Sequence, residues 1–292
     1  MLLLYRQSTN TKNKKDRKIA DTKKFISPNA WFSIEYPADW FEFEDGEGSF
    51  LFYNPNEWNG NFRISGIKGN EPTYGAKYIA QEIKERPDLH PYDLANGIAL
   101  YENSHFEQDE EEFTSHRWIC GVEDMSFICT FTDLKGRSYE LAESIINSLS
   151  VRDNEAKYPA EHIPVRLSEI HEINEAYEWV VSLVKEQFSV DFQGEEEDIA
   201  KLDRVKEADI IGRKRRKDWL AIGLVSAVIL ANEVEGMEWR TLIDGNREDP
   251  VLFYTPTETI IDPMKMVWSR IRAKEEFTIA ESYQEALASL HK

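Results

Sequence analysis

Apolar and polar positions alternate in several short runs along the first half of the chain. In FSIEYP, Phe32, Ile34 and Tyr36 oppose Ser33 and Glu35, a period of two that predicts a half-buried strand. Pro37 lacks the N–H that a ladder needs and stops it. WFEF, FLFY and FRISGI follow, separated by the turn-forming EDGEGS and NPNEWNGN, so residues 32–63 read as an antiparallel meander. Pro72-Thr73 opens a helix with Ala76, Ile79, Ala80 and Ile83 on one face, and Pro87 closes it. Longer strands are predicted at 97–106, 113–122 and 125–133. The last two form a hairpin about Glu123-Asp124 that puts Trp118, Cys120, Val122, Met125, Phe127, Cys129 and Phe131 on one apolar face. Ser138 then caps a helix whose buried stripe is Leu141, Ile145 and Leu149.

Beyond a polar linker, RDNEAKYPAEHIP at 152–164, the period changes to that of helices. Leu167, Ile170, Ile173, Tyr177, Val180, Val184 and Phe188 trace one stripe, and a shorter charged helix is expected over 195–208. MEWRTLI and PVLFYT alternate as a hairpin around DGNRED. Asp262-Pro263 starts a helix, and Thr278 with Glu281 makes a capping box for the last one. Between these lies GRKRRKDWLAIGLVSAVILANEV, which shows neither alternation nor a stripe. Its thirteen uncharged residues, 219–231, span about 20 Å as a helix, against about 30 Å of bilayer hydrocarbon. The segment is therefore read as a helix buried on all sides in a globular domain. The cations 213–217 stand at its N-terminus, where the helix dipole opposes them. Acidic groups are expected beside them, with EEED at 195–198 and KEAD at 206–209 available.

The charge is uneven. The chain of 292 residues has a net charge of −19. Residues 1–24 hold eight Lys/Arg against two Asp, residues 25–152 nine against twenty-three acids, and residues 153–292 eighteen against twenty-nine. The first 27 residues read as a basic flexible arm, and everything after them is acidic. An acidic surface repels phosphate backbones and anionic lipid and suits a basic protein partner, so nucleic acid and membrane are excluded as partners. The apolar start, MLLLY, is shorter than the roughly 7–15 residues of an export signal. With Cys120 and Cys129 placed as core residues at no metal or redox spacing, a reduced, cytoplasmic protein is expected.

FSIEYPADW, the strands after it, the mid-chain helix, three long strands and the closing ESIINSLSV together resemble the PsbP-like fold over residues 28–151. That resemblance implies an antiparallel sheet flanked by helices, and a binding or assembly module rather than an enzyme. The second half, 165–292, is similar to a bacterial family known only as a domain of unknown function, on the apolar helix, Glu238-Trp239, the Asp244 turn and DPMKMVWSRI. The fold class is thus α+β throughout: a PsbP-like domain, then a mostly helical α+β domain with one β-hairpin.

The chemistry is sparse. Phosphate-binding loops, nucleophile elbows and zinc-protease motifs are absent, and no cofactor is implied. The hairpin tip concentrates Asp244, Asn246, Arg247, Glu248 and Asp249, which could hold a ligand or simply make the turn. His171 and Glu175 stand four apart on a helix, a pair that could ligate a metal or poise a proton, or simply be an exposed pair on an acidic helix. EQDEEE at 107–112 reads as a solvated loop suited to a basic partner. A non-catalytic binding or adaptor protein is expected, in its narrower form one that neutralises a basic effector, as an immunity protein does. The alternative is an enzyme with its site between the domains. If His171 and Glu175 met Asp244 and Asp249 in one pocket, the enzyme would be favoured; if they were scattered, the binder.

Overall fold

The aromatic strands of the first half build two facing sheets rather than one. The computed structural model describes residues 21–44, 48–95, 97–153, 156–245 and 247–291. In chain order the first half carries β1 (Thr22–Ile26), β2 (Phe32–Pro37), β3 (Phe41–Glu44), β4 (Ser49–Tyr53), β5 (Asn61–Lys68), α1 (Tyr74–Glu85), β6 (His90–Leu94), β7 (Gly97–Gln108), β8 (Glu111–Val122), β9 (Met125–Leu134), α2 (Glu140–Asn147) and β10 (Ser150–Val151). One antiparallel sheet has the order β1-β2-β10; the other, of seven strands, runs β3-β4-β5-β9-β8-β7-β6. The inner layer is aromatic. The Phe25 ring lies 4.8 Å from Phe50 and 5.2 Å from Phe52, and Phe32 meets Phe127 edge-on at 5.2 Å. Trp118, Cys120, Met125, Phe127, Cys129 and Phe131 are buried on this face as the hairpin period requires, with Val122 partly so. Hydrogen bonding with Cys120, and then burial, push the Cys129 thiol well up, away from thiolate chemistry.

Three expectations change here. Residues 22–26, assigned to the basic arm, form β1, because Phe25 and Ile26 are buried while Lys24 is exposed and the half-buried Lys23 donates to the Trp40 carbonyl; residues 1–20 of that arm lie outside the described residues. The meander comprises β3 to β5 only. β2 lays Phe32, Ile34 and Tyr36 onto the large sheet from the opposite layer, so it cannot also be that sheet's edge. Helix α1 is turned from its expected face: Ala76, Ala80 and Ile83 are exposed, while Gly75 is buried and Tyr78 and Ile79 cover Leu100 and Ile119. The cause is a glycine contact. A Cβ on Gly121 would stand 2.2 Å from the Gly75 carbonyl oxygen, so the helix seats on β8 where neither residue has a side chain.

The second half carries β11 (Glu161–Pro164), α3 (Leu167–Phe188), α4 (Ile199–Glu207), α5 (Arg216–Glu233), β12 (Met237–Asp244), β13 (Arg247–Tyr254), β14 (Thr259–Ile261), α6 (Pro263–Met266), α7 (Trp268–Ala273) and α8 (Ile279–Ser289). The end of the expected linker is thus β11, an edge strand that tolerates Pro164, in a sheet of order β11-β12-β13-β14. Helix α5 is the centre of this half, buried from Trp219 through Ala227 and again at Ile229 and Leu230, against α3, α6, α7 and α8. Among the described residues, no helix is long and apolar enough to cross a membrane. Asp262 caps α6 by accepting from the Met264 and Lys265 N–H groups, and Thr278 with Glu281 forms the capping box of α8.

The basic run does find carboxylates, though not those expected. Arg215 pairs with Asp218 at 2.8 Å, and Arg216 reaches Asp249 at 3.9 Å. Asp198 instead caps its own turn, accepting from Gln193 and Gly194 and pairing with Lys201. An i,i+3 partner on the same helix and a strand packed beside its first turn are nearer than either expected segment.

Candidate functional site

The hairpin expected to carry a six-residue tip turns in two, because Asp244 pairs with Arg247 in the strand register. Period two then separates the charges. Arg247 and Asp249 share one face and Glu248 points to the other. Arg247 is pinned: Nε bonds Asp249 at 2.5 Å, and Nη1 and Nη2 bond both oxygens of Asp262 at 2.8 and 2.7 Å. This fork ties β13 to the start of α6. Asp244 and Arg247 line an open cleft of about 440 Å³ with His162, Lys265, Arg270 and Glu285. Its cations are matched within the protein, since Arg270 pairs with Glu285 and Lys265 approaches Asp262 at 3.8 Å. Asn246 lies outside the described residues.

His171 and Glu175 are both exposed on α3, away from this cleft. Glu175 borders a separate groove of about 520 Å³ between α3 and α5, with Trp179, Leu220 and Lys217. Asp244 and Arg247 thus line one cleft, with Asp249 bonded to Arg247, while Glu175 borders another groove, whose Glu172 feels the charge of Asp249; neither pocket is lined by His171.

A cluster that sequence reading missed joins the two halves. Arg166, 3% exposed, bonds Glu169 through Nε at 3.1 and 3.0 Å and Glu248 through Nη2 at 2.7 Å. Its Nη1 donates to the Ile26 carbonyl of β1 at 3.1 Å. One residue on, the Leu167 N–H donates to Glu42 of β3 at 3.1 Å, an acidic cap brought to α3 from the other half. Ile26, Ile163 and Ile243 form a small core beneath. No local motif announces these contacts, which link positions 125 and 140 residues apart.

Glu42 is the poorly satisfied member. Its Oε1 is buried without a hydrogen-bond partner among the described residues, and burial, aided by Glu169 and Glu44 against Arg166 and the Leu167 N–H, pushes its carboxyl up to about 7. The folded state holds this proton more tightly than the unfolded chain. The stability it contributes is full below the ordinary carboxylate range and is lost as pH rises from about 4.5 to about 7. Glu42→Gln keeps an acceptor for Leu167 and does not titrate. Its melting temperature relative to the parent should therefore rise between pH 5 and pH 8, and parallel pH profiles would refute the assignment.

The free charge and exposed apolar surface meet at the tip of β7 and β8. EQDEEE is not a loop: β7 runs to Gln108 and β8 starts at Glu111, leaving only Asp109 and Glu110 as the turn, both with left-handed φ. Alternating Phe106 and Phe113 share a face and stack at 5.4 Å, and Trp58 meets Phe113 edge-on at 6.1 Å. Trp58 and Phe106 are 48% and 42% exposed. Beside them Glu107, Asp109, Glu110 and Glu111 are exposed and make no ion pair among the described residues, whereas Glu112 is held by Lys135.

A family described as Domain of unknown function (DUF3805) matches residues 20–174, and one described as Domain of unknown function (DUF3806) matches residues 198–283. The first match runs past β10 through β11 into α3, so it includes Glu42, Arg166 and Glu169. The crystal structure of a Bacteroides thetaiotaomicron protein is 53% identical, with a TM-score of 0.86, over 91% of this chain and 98% of that one. The solution structure of cyanobacterial PsbP (CyanoP) from Synechocystis matches 48% of this chain and 98% of its own at 9% identity and a TM-score of 0.26. The crystal structure of LpqN, described as involved in cell envelope biogenesis of Mycobacterium tuberculosis, matches 46% of this chain and 91% of its own at 14% identity and a TM-score of 0.28. No curated protein matches the chain.

Proposed function

We propose that this chain, which belongs to the DUF3805 family, is a non-catalytic binding or adaptor protein whose acidic surface receives a basic protein partner. The β7–β8 tip carries the reading. Stacked, exposed aromatics supply contact area at low entropic cost, and the unpaired carboxylates around them attract and orient a cationic surface. Neither the 440 Å³ cleft nor the α3–α5 groove gathers His171 and Glu175 with Asp244 and Asp249, which supports a binder over an enzyme, as does the internal matching of the cations in that cleft. A cytoplasmic setting belongs to the same proposal, supported by two buried free cysteines. In its narrower form the partner is a basic effector that the chain neutralises.

The test compares a labelled lysine-rich peptide with a glutamate-rich peptide of equal length by fluorescence anisotropy across a salt series. The basic peptide should bind and weaken as salt rises. The combined change Glu107→Gln, Asp109→Asn, Glu110→Gln and Glu111→Gln should lower its affinity by roughly tenfold or more. Equal binding of both peptides, or an unaffected variant, would overturn the reading.

A further inference from the structure

Strand β7 is longer than its outer neighbour. β6 pairs with it only from Gly97 to Tyr101, and residues 102–108 pair with β8 on one side and with no strand of the described residues on the other. The turn decides which backbone groups face outward. In a two-residue hairpin the flanking pair, here Gln108 and Glu111, is hydrogen-bonded. Residues 102, 104 and 106 then bond to β8, while Asn103, His105 and Glu107 aim N–H and C=O away from the sheet. The other end agrees: Leu94 and Gly97 flank the β6–β7 turn, so 97, 99 and 101 face β6 and the same row continues at 103, 105 and 107. Residues 103–110 are all exposed.

We propose that this open edge accepts an extended basic polypeptide segment as an added strand. The inference rests on the binding reading above and specifies its mode. Seven residues at about 3.3 Å each give an edge of roughly 20 Å, enough for a segment of about six residues. The charge along it is graded. Glu102 is held by Arg86 and Arg117, whereas the carboxylates of Glu107, Asp109, Glu110 and Glu111 are unpaired among the described residues. The cations of the segment lie at the turn end, and an apolar side chain on its inward face rests on Phe106. A second copy of this chain is the wrong occupant, because two such edges side by side bring their carboxylates together, and like charges on adjacent strands destabilise pairing.

The experiment uses the full chain and a labelled decapeptide of alternating lysine and valine. Its partner probe is the same peptide N-methylated at alternate residues, which removes the strand-pairing N–H groups and keeps every charge. Amide hydrogen exchange of the protein is followed by NMR. The unmodified peptide should slow exchange at Asn103, His105 and Glu107 at least tenfold and leave Ser104 and Phe106 unchanged. N-methylation should weaken binding at least tenfold, and His105→Pro, which deletes one outward N–H, should do the same. Binding that is indifferent to N-methylation and gives no protection at 103, 105 and 107 overturns strand addition while the acidic binding surface stands. If the lysine peptide does not bind at all, the binding reading fails and takes this one with it.

Discussion

Val225→Asp should unfold the second half of the protein. Val225 is fully buried in the middle of α5, a helix enclosed by α3, α6, α7 and α8. The cluster around it is apolar, so no cation of the described residues is placed to pair with a carboxylate there. The introduced group must ionise unpaired or fold only when protonated, and either outcome costs more than the roughly 0.5–3 kcal/mol of a common point change. The aromatic core of the first half is a separate cluster. Helical far-UV signal should therefore collapse while limited proteolysis still leaves a resistant N-terminal fragment. A soluble variant that melts cooperatively with an unchanged far-UV spectrum would show that α5 is not the centre of this half.

That helix was legible because its composition is one-sided: twelve apolar or small residues cannot face water from any side, and thirteen cannot span a bilayer. The long β7–β8–β9 strands were legible because alternation survives wherever a sheet has one dry face. What alternation does not encode is the layer to which a strand belongs. FSIEYP reads identically as an edge of the large sheet or as a strand packed upon it, and its pairing with β1 and β10, with Phe32 set against Phe127, decides. β1 and β11 were hidden because TKKFI and EHIP each hold one or two apolar residues among charged or polar ones, too few to show a period. The face of α1 was misread because hydrophobicity favoured Ile83, whereas seating is controlled by the Gly75–Gly121 approach, which leaves no hydrophobic signal. The site residues suffered from turn length: with a two-residue turn, Arg247 and Asp249 become strand residues on one face instead of a loop cluster.

The largest contribution beyond local pattern is Arg166, and its removal should have the second large effect. Arg166→Met leaves Glu169, 6% exposed, beside Glu248 with no cation between them, and leaves the Ile26 carbonyl without its donor. Deleting one partner of a buried charge pair costs about 3–5 kcal/mol, because the other charge remains buried and unpaired. Glu42 makes the loss worse, since Arg166 is the cation that favours its ionised form. Arg166→Lys should rescue little: one ammonium cannot span Glu169, Glu248 and the Ile26 carbonyl at once, as the guanidinium fork does. The double variant Arg166→Met with Glu169→Leu should recover part of the loss, because it removes the orphaned charge along with its partner. The same contacts hold β1 and β3 of the first half to α3 and β13 of the second. The parent should therefore melt in one transition, and Arg166→Met in two, as the halves lose their coupling. Calorimetry reads both effects, and a variant with a single transition within about 0.5 kcal/mol of the parent would show that the ion cluster does not hold the halves together.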